Sequence, residues 1–178
     1  TWVRLPSGLW VLNFDGVDDY VEITASLLNF TTGDFSIVKW LNPDTLPLEH
    51  YLITRGVRAT DGWSLFAQTG RVFLSTSQAA AEQFSYTATN FLVAGTWVCL
   101  GVSRSGATVK LYGNAVDSTT VSATHIDPLT SARTVKIGAQ DDKVSTLFDG
   151  KMALTRVYNQ ALTAAQFANI FYQERHLF

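Results

Sequence analysis

The stretch Trp63-Ser-Leu-Phe-Ala-Gln-Thr-Gly-Arg-Val-Phe-Leu-Ser-Thr76 holds two apolar-rich runs on either side of Thr69-Gly70. Alternate residues of a strand face the same side of a sheet, and a two-residue turn containing Gly joins antiparallel neighbours. The stretch therefore predicts a tight β-hairpin. A second two-residue signal, Gly113-Asn114, predicts another hairpin after Tyr112.

Similar runs recur along the whole chain and are separated by Gly, Asp, Asn and Pro, which is typical of antiparallel strands with short connections. They are too many for one open twisted sheet, so we expect an all-β fold of two packed antiparallel sheets. The predicted strands cover residues 9–14, 20–23, 35–41, 51–55, 63–68, 71–76, 84–87, 97–103, 109–112, 116–121, 134–137 and 151–158.

One segment predicts a short C-terminal helix over residues 164–172. Thr163 is a suitable N-cap, and Ala164, Phe167, Ile170 and Phe171 recur at the three- and four-residue spacing of one helical face. A lone amphipathic helix in an all-β chain is expected to close an edge or an end of the sandwich, because sheet edges need cover.

Length and composition predict one domain over residues 1–178. A chain of this size, with 47% apolar residues, can bury a core without cross-links. Cys99 is the only cysteine and is expected to be a small buried hydrophobe, so no internal disulfide can form. The chain opens at Thr1 without Met and has no leader or long apolar span, which favours a processed or excised piece.

Charge argues against nucleic acid and against a membrane as partners. The net charge is only −2, and the 13 Lys and Arg are scattered without a run. Binding to phosphate backbones requires clustered cations that release counterions. We therefore expect no nucleic-acid partner and no membrane insertion.

The stretch Leu12-Asn-Phe-Asp-Gly-Val-Asp-Asp-Tyr-Val-Glu-Ile23 resembles the opening signature of laminin-G-like, concanavalin A-like jelly rolls. Residues 35–46, 95–98, 109–114, 137–138 and 148–162 also resemble that family, in the same order. The resemblance implies a jelly-roll β-sandwich in which residues 9–14 lie beside residues 152–157. It is unspecific for function, because such sandwiches serve as carbohydrate-binding, adhesion, enzyme-associated and virion surface domains.

Catalytic patterns are missing from the sequence. Enzymes on this scaffold carry carboxylates at alternate strand positions, and no Asp or Glu here is followed by another two residues later. The three histidines, at positions 50, 125 and 176, are far apart, and no Gly-x-Ser-x-Gly elbow accompanies them. We therefore expect a non-catalytic protein.

Two acidic turns form a candidate calcium site, because calcium prefers oxygen ligands. The candidate ligands are Asp15, Asp18 and Asp19 in one turn and Gln140, Asp141 and Asp142 in another. Relatives often have an acidic residue after the apolar position of the last long strand, where this chain has Ala153, so one ligand is absent. The alternative is that these aspartates cap their own turns.

A second candidate site is the loop that holds Arg55, Arg58, Asp61 and Trp63. An exposed aromatic ring beside polar groups can stack on a sugar, which makes Trp63 the candidate platform. The alternative places Trp63 in the core, as we expect for Trp40 and Trp97. Lys39 falls on the face of Phe35 and Ile37; it marks an interface or extends its amine to solvent or to an acid.

The leading hypothesis is a non-catalytic recognition module for glycans or a cell surface, with calcium as the candidate cofactor. The alternative is a virion structural protein, a capsid decoration or a tail or fibre component, that binds other protein subunits. It draws on a weak similarity of residues 167–178 to bacteriophage jelly rolls. Both hypotheses place the protein outside the cell, on its surface or on a virion, and leave homo-oligomers open.

Overall fold

The computed structural model describes residues 1–24 and 28–178 and contains two packed antiparallel sheets of seven strands each. The first sheet has the order β1-β2-β14-β4-β9-β10-β11, and the second has the order β12-β8-β7-β6-β5-β13-β3. The strands are β1 (Trp2–Arg4), β2 (Trp10–Asp15), β3 (Val21–Ile23), β4 (Phe35–Pro43), β5 (His50–Val57), β6 (Asp61–Gln68), β7 (Arg71–Gln78), β8 (Ala81–Thr87), β9 (Val98–Ser105), β10 (Thr108–Gly113), β11 (Val116–Asp117), β12 (Thr119–Val121), β13 (Val135–Ile137) and β14 (Asp149–Tyr158). The predicted jelly-roll sandwich is confirmed.

The hairpin at Thr69-Gly70 is confirmed, because Gln68 pairs with Arg71 across it. The second hairpin turns one residue later than predicted. Gly113 pairs with Val116, so Asn114 and Ala115 occupy the turn, both with positive φ. Two adjacent residues with positive φ match the right-handed twist of the flanking strands.

Residues 116–121 were predicted as one strand and are two. Strand β11 ends the first sheet, whereas β12 pairs with β8 at the edge of the second sheet. The chain therefore crosses between the sheets at Ser118, which no local pattern marks. Strand β1 was also missed; it pairs with β2, with Trp2 opposite Leu12 and Arg4 opposite Trp10.

Strand β14 lies between β2 and β4, and Leu12 pairs with Met152. The resemblance implied this neighbourhood of the first and last long strands, and it is confirmed. It also brings the ends of the chain together, since the Ser7 hydroxyl donates to the Leu177 carbonyl at 2.5 Å.

Strand β4 is buried along its entire length and separates two apolar cores. Its residues Phe35, Ile37 and Leu41 join the core between the sheets, whereas Val38 and Trp40 join a second core on the outer face of the first sheet. Alternate residues of one strand thus serve opposite faces. Both faces of the first sheet are therefore covered.

Helix α1 (Ala164–Glu174) provides the cover on that outer face and does not close an edge or an end as predicted. Thr163 and Gln166 form a capping box at its start, in agreement with the predicted cap. Phe167 packs directly on Gly101 of β9, where an added Cβ would lie 2.6 Å from the ring. Trp40 is held below the helix, with its indole N–H donating to Glu174 at 2.9 Å. A 3₁₀ turn, Arg175–Leu177, follows the helix.

Lys39 is 0% exposed and lies between the sheets. The sequence predicted an interface, or an amine that reaches solvent or an acid, and neither is present. The amine donates to the Leu52 carbonyl at 2.8 Å and to the Met152 sulfur at 3.0 Å. Burial lowers the pKa of Lys39 to about 7, because the interior disfavours the charged form.

His50 and His125 are buried as well. The His50 ring packs edge-on against Phe148, and neither of its nitrogens has a hydrogen-bond partner among the described residues. The His125 ring is held between the hydroxyls of Thr76, at 2.9 Å, and Ser85, at 2.8 Å. Burial lowers the pKa of each histidine to about 4.

Replacing Lys39 by Met should stabilise the protein by about 2 kcal/mol at pH 6. The parent protein buries the Lys39 ammonium at that pH without a carboxylate partner, and the variant buries no charge there. The Leu52 carbonyl would still accept from the Gly138 amide at 3.3 Å. In the parent chain, Lys39 is protonated in the unfolded state but largely neutral in the folded state between about pH 7 and 10.5. The free energy of unfolding should therefore rise with pH over that window. Urea unfolding at pH 6 and pH 9 measures both effects, with exposed Lys110→Met as the control. Equal pH slopes for the parent and K39M would contradict this account.

Acid should destabilise the protein in a window set by the two histidines. The stability that the two neutral, buried histidines contribute is fully present above the unfolded-state pKa of 6.5. It is lost as the pH falls towards about 4, because the unfolded state then binds more protons than the folded state. His50→Leu should reduce the loss between pH 6.5 and 4.5 by on the order of 2 kcal/mol. Urea unfolding across this range tests it; an unchanged acid profile for H50L would show that His50 is not a source of the loss.

Candidate functional site

Arg55 and Trp63 face the interior of the sandwich. They form a cross-strand pair on β5 and β6, and Trp63 is 1% exposed. Its ring packs beside Phe35, and its indole N–H donates to the Leu28 carbonyl at 3.0 Å. Arg55 donates to the Ser131 carbonyl at 2.7 Å. Trp63 thus fills the core, which was the alternative interpretation, and its ring has no open face on which a sugar could stack.

Arg58 lies in the turn between these two strands and Asp61 is the first residue of β6, and the local sequence explains the shape of the turn. Asp61 accepts a hydrogen bond from the Val57 amide at 2.9 Å. Gly56 and Gly62 approach each other across the turn, where a Cβ on Gly62 would lie 1.9 Å from the Arg55 carbonyl oxygen. Only glycine fits there, and the resulting tight turn directs Arg58 to the outer face of the second sheet.

Arg58 lies over a row of aromatic rings on that outer face. Its guanidinium is 4.3 Å from the centroid of Phe66 and 5.2 Å from that of Phe84. It also donates to Glu82 at 2.8 Å and to Glu49 at 2.9 Å. The side chain is about a quarter exposed, and two of its five N–H groups are used by these carboxylates. A rigid cation with donors to spare therefore borders the outer face.

The second predicted group, Gln140, Asp141 and Asp142, follows β13. The Asp141 carboxylate accepts from Lys136 at 2.6 Å and also from Arg133, so two cations already neutralise it. The Asp142 carboxylate caps its own turn by accepting from the amides of Val144 and Ser145. Although burial acts to raise the pKa of Asp142, its hydrogen bonds with Ser145 and Val144 hold it below the usual value. The turn-capping interpretation therefore holds for Asp142.

The fold brings Arg58 and this acidic turn together on one cleft of about 350 Å³ in the outer face of the second sheet. Strand β5, the turn that follows it and the loops on either side of β13 supply its walls, which mix hydrogen-bond donors, carboxylates and one aromatic ring. The lining residues are Tyr51, Gly56, Val57, Arg58, Arg133, Gln140, Asp141 and Asp142. We call it the outer cleft. Arg55, Asp61 and Trp63 do not line it.

The first acidic turn is a separate group. Asp15, Asp18 and Asp19 place one carboxylate oxygen each within 4.8 Å of one another, and Asp15 and Asp18 are exposed. Asp15 also caps the turn, since its carboxylate accepts from the Val17 amide at 2.8 Å and the Asp18 amide at 3.2 Å. The bond from Val17 is the main cause of its lowered pKa. These oxygens could hold a cation; Asp141 and Asp142 do not join the group, and Ala153 faces the core under α1.

His125 and Ser85 form a hydrogen-bonded pair of the kind that some hydrolases use. Sequence analysis did not find this pair, because the two residues are 40 positions apart. Both side chains are buried, and so is Thr76 on the other side of the ring. None of these three side chains lines the outer cleft. The pair fastens the segment after β12 to the second sheet.

Sequence reasoning missed a second cleft, which lies between the open edges of the two sheets. It has a volume of about 310 Å³, and Trp2 and Trp10 stand at its mouth. The signal was available in Trp2-Val-Arg-Leu-Pro-Ser-Gly-Leu-Trp10, where Pro6, Ser7 and Gly8 separate two short apolar runs. We call it the edge cleft.

Among the described residues, no helix combines the length and the apolar character that crossing a membrane demands. The comparison with curated protein sequences gave no match. The chain is similar in structure to the binding domain of Paraclostridial Mosquitocidal Protein 1, with a TM-score of 0.78 and 13% identity over 97% of this chain and 45% of that chain. It therefore spans under half the length of that protein's chain.

Two further solved structures show the same fold. Domain 4 of AbnA, a GH43 extracellular arabinanase from Geobacillus stearothermophilus, in complex with arabinotriose, has a TM-score of 0.74 and 18% identity over 96% of this chain and 80% of that chain. The receptor binding domain of botulinum neurotoxin D has a TM-score of 0.74 and 10% identity over 98% of this chain and 46% of that chain. At these identities the likeness concerns the fold.

The family itself is shown by sequence. A family model described as the concanavalin A-like lectin/glucanases superfamily matches residues 15–168, which is most of the chain and includes both acidic turns and the outer cleft. The order of the strands and the two antiparallel layers agree with that match. The chain belongs to the concanavalin A-like lectin/glucanase superfamily.

Proposed function

We propose that residues 1–178 form one non-catalytic recognition domain that binds carbohydrate, free or on a cell surface, through the outer cleft. The observation that carries the proposal is the meeting of Arg58 with Gln140 and Asp142 on the walls of one cleft. Sugar hydroxyls donate and accept hydrogen bonds, and guanidinium, amide and carboxylate groups together serve both needs. Tyr51 adds an aromatic surface at the same place.

The carboxylates of the outer cleft favour binding over glycoside hydrolysis. Hydrolysis requires a protonated carboxylic acid beside a second free carboxylate. Here Asp141 is paired with Lys136, and the pKa of Asp142 is lowered, so neither is suited to donate a proton. The names of similar structures, a binding domain, a domain holding arabinotriose and a receptor binding domain, are consistent with a recognition role outside the cell. A virion structural role stays a prediction.

Titration calorimetry with arabinotriose and a panel of neutral oligosaccharides tests the proposal. Gln140→Ala and Arg58→Gln should each weaken binding of the recognised sugar by roughly 10-fold. Arg58→Gln removes N–H donors, and Gln140→Ala removes a side-chain carbonyl that can accept from a sugar hydroxyl, since the Gln140 amide nitrogen already donates to Asp142 and Ser145. Q140A is the milder change, since it leaves the ion pairs of Arg58 with Glu49 and Glu82 in place. Lys110→Ala, on the first sheet, is the control. Absence of affinity for every sugar, or equal affinity in all three variants, would refute the proposal.

We further propose that this domain binds calcium through Asp15, Asp18 and Asp19, whose carboxylate oxygens lie within 4.8 Å of one another, whereas Lys136 and Arg133 already neutralise Asp141. Calcium at about ten times its dissociation constant should stabilise the fold by about 1.4 kcal/mol and raise Tm by a few degrees. Asp18→Asn should abolish the shift and Asp142→Asn should not. A thermal scan that shows no calcium effect, or an effect lost only in D142N, would contradict this.

A further inference from the structure

We propose that the edge cleft is a second binding site, distinct from the outer cleft, and that it takes a sugar residue bearing a carboxylate, a hexuronate. The site would use the indoles of Trp2 and Trp10 as stacking surfaces and Arg4 as the partner of the acid group. The inference does not depend on the outer cleft, with which the edge cleft shares no lining residue.

Trp2 and Trp10 differ from the other three tryptophans in having no partner. They are 63% and 58% exposed, and within residues 1–24 and 28–178 neither side chain makes a hydrogen bond, an ion pair or an aromatic contact. By contrast, Trp40 stacks on Phe178, and Trp63 and Trp97 pack in tilted contacts against Phe35 and Phe178 respectively. The ring faces and indole N–H groups of Trp2 and Trp10 are therefore available where the edge cleft opens.

The register of β1 and β2 explains why these rings meet. Trp2 pairs with Leu12, and Arg4 pairs with Trp10, so all four side chains project from one face of the hairpin. Leu12 packs against the core between the sheets, which identifies this face as the inner one. The second sheet ends at β3, so the two indoles extend past its edge and stay in water.

The hairpin is held firmly, so the rings are presented on a fixed support. On its opposite face Val3 and Val11 pack in the core under α1. Its turn is closed by hydrogen bonds from the Leu5 amide to Leu9 at 2.8 Å and from the Gly8 amide to Leu5 at 2.9 Å. Binding of a ligand would therefore cost little conformational entropy in the hairpin, which favours affinity.

The shape and lining of the edge cleft select the ligand. Val21 and Ile137 of the second sheet face Leu12 and Met152 of the first, so the floor is apolar. The cleft is open on the solvent side, so an acyl chain would leave one side of its surface in water. A pyranose ring suits it better, because one face is apolar and the edges carry hydroxyl groups.

Arg4 adds the requirement for negative charge. Arg4 does not itself line the edge cleft but stands directly opposite Trp10, which does. Its side chain is exposed, and the one hydrogen bond of that side chain in the described chain is to the Gly8 carbonyl at 3.4 Å. No carboxylate of the described residues pairs with it, whereas a ligand carboxylate could receive two parallel N–H bonds from the guanidinium. A sugar acid can stack on the two indoles through its ring and pair with Arg4 through its carboxylate.

Calorimetry and tryptophan emission with trigalacturonate, the matching neutral galactotriose and octanoate test the inference. We expect trigalacturonate to bind at least 10-fold more tightly than galactotriose. Trp10→Ala and Trp2→Ala should each weaken it by 10-fold or more, and Arg4→Gln should reduce it to the level of the neutral sugar. Tyr172→Ala removes an aromatic side chain that is 61% exposed on α1, and it should change nothing.

The outcomes separate the two clefts. Loss of trigalacturonate binding in W10A with full retention in Arg58→Gln would support the edge cleft, whatever the fate of the outer cleft. Loss in R58Q alone would assign the acid sugar to the outer cleft and overturn this inference. Octanoate binding that is stronger than trigalacturonate binding and insensitive to R4Q would also overturn it, as would absence of trigalacturonate binding.

Discussion

Burial of β4 on both faces is the constraint on which the rest of the structure depends. All nine residues of the strand are buried, and its two sets of alternate side chains enter different cores. Such a strand requires a second layer on each side, because an uncovered apolar face would remain in water. The second sheet provides one layer and α1 the other, and the capping box at Thr163 starts the helix where that cover is needed. The fully buried Lys39 is tolerated within this arrangement because a carbonyl and a thioether accept from its amine.

The same packing of layers decides where the two clefts lie. The helix packs on the outer face of the first sheet, and the two clefts lie elsewhere, on the outer face of the second sheet and at the open edge between the layers. The first holds the outer cleft, where Arg58 lies over aromatic rings, and the second holds the edge cleft with its unpartnered indoles. One face is polar and ionic, and the other is aromatic and apolar with a single cation. The two clefts therefore differ in chemistry, because different parts of the two sheets line them.

Local patterns predicted most of the strands and the helix because these depend on neighbours within a few residues. The Thr69-Gly70 hairpin, the alternation in β6 and β7 and the Thr163 cap are examples, since the turn and the face are set by adjacent side chains. The errors in the predicted strands arose where pairing with residues distant in sequence decides the structure. Residues 116–121 carry one β pattern, yet the partners β10 and β8 belong to different sheets, so the chain divides at Ser118. The three-residue β1 was too short to detect without its partner β2.

By itself, the sequence determined the all-β class, the jelly-roll family and the groups able to contact a ligand, because apolar periodicity, turn residues and motif order are properties of the chain. Only the tertiary structure decided which of these groups meet and which are accessible. Trp63 and Arg58 are five residues apart, but one is in the core and the other on the surface, since a strand turns its alternate residues to opposite faces and the tight turn at Gly56 and Gly62 reorients the chain. Likewise Asp141 received its charge partners from Arg133 and Lys136 on folding, and Trp2 and Trp10 became a pair through the register of a hairpin. Exposure and pairing depend on the packing of whole layers, which no single stretch of sequence encodes.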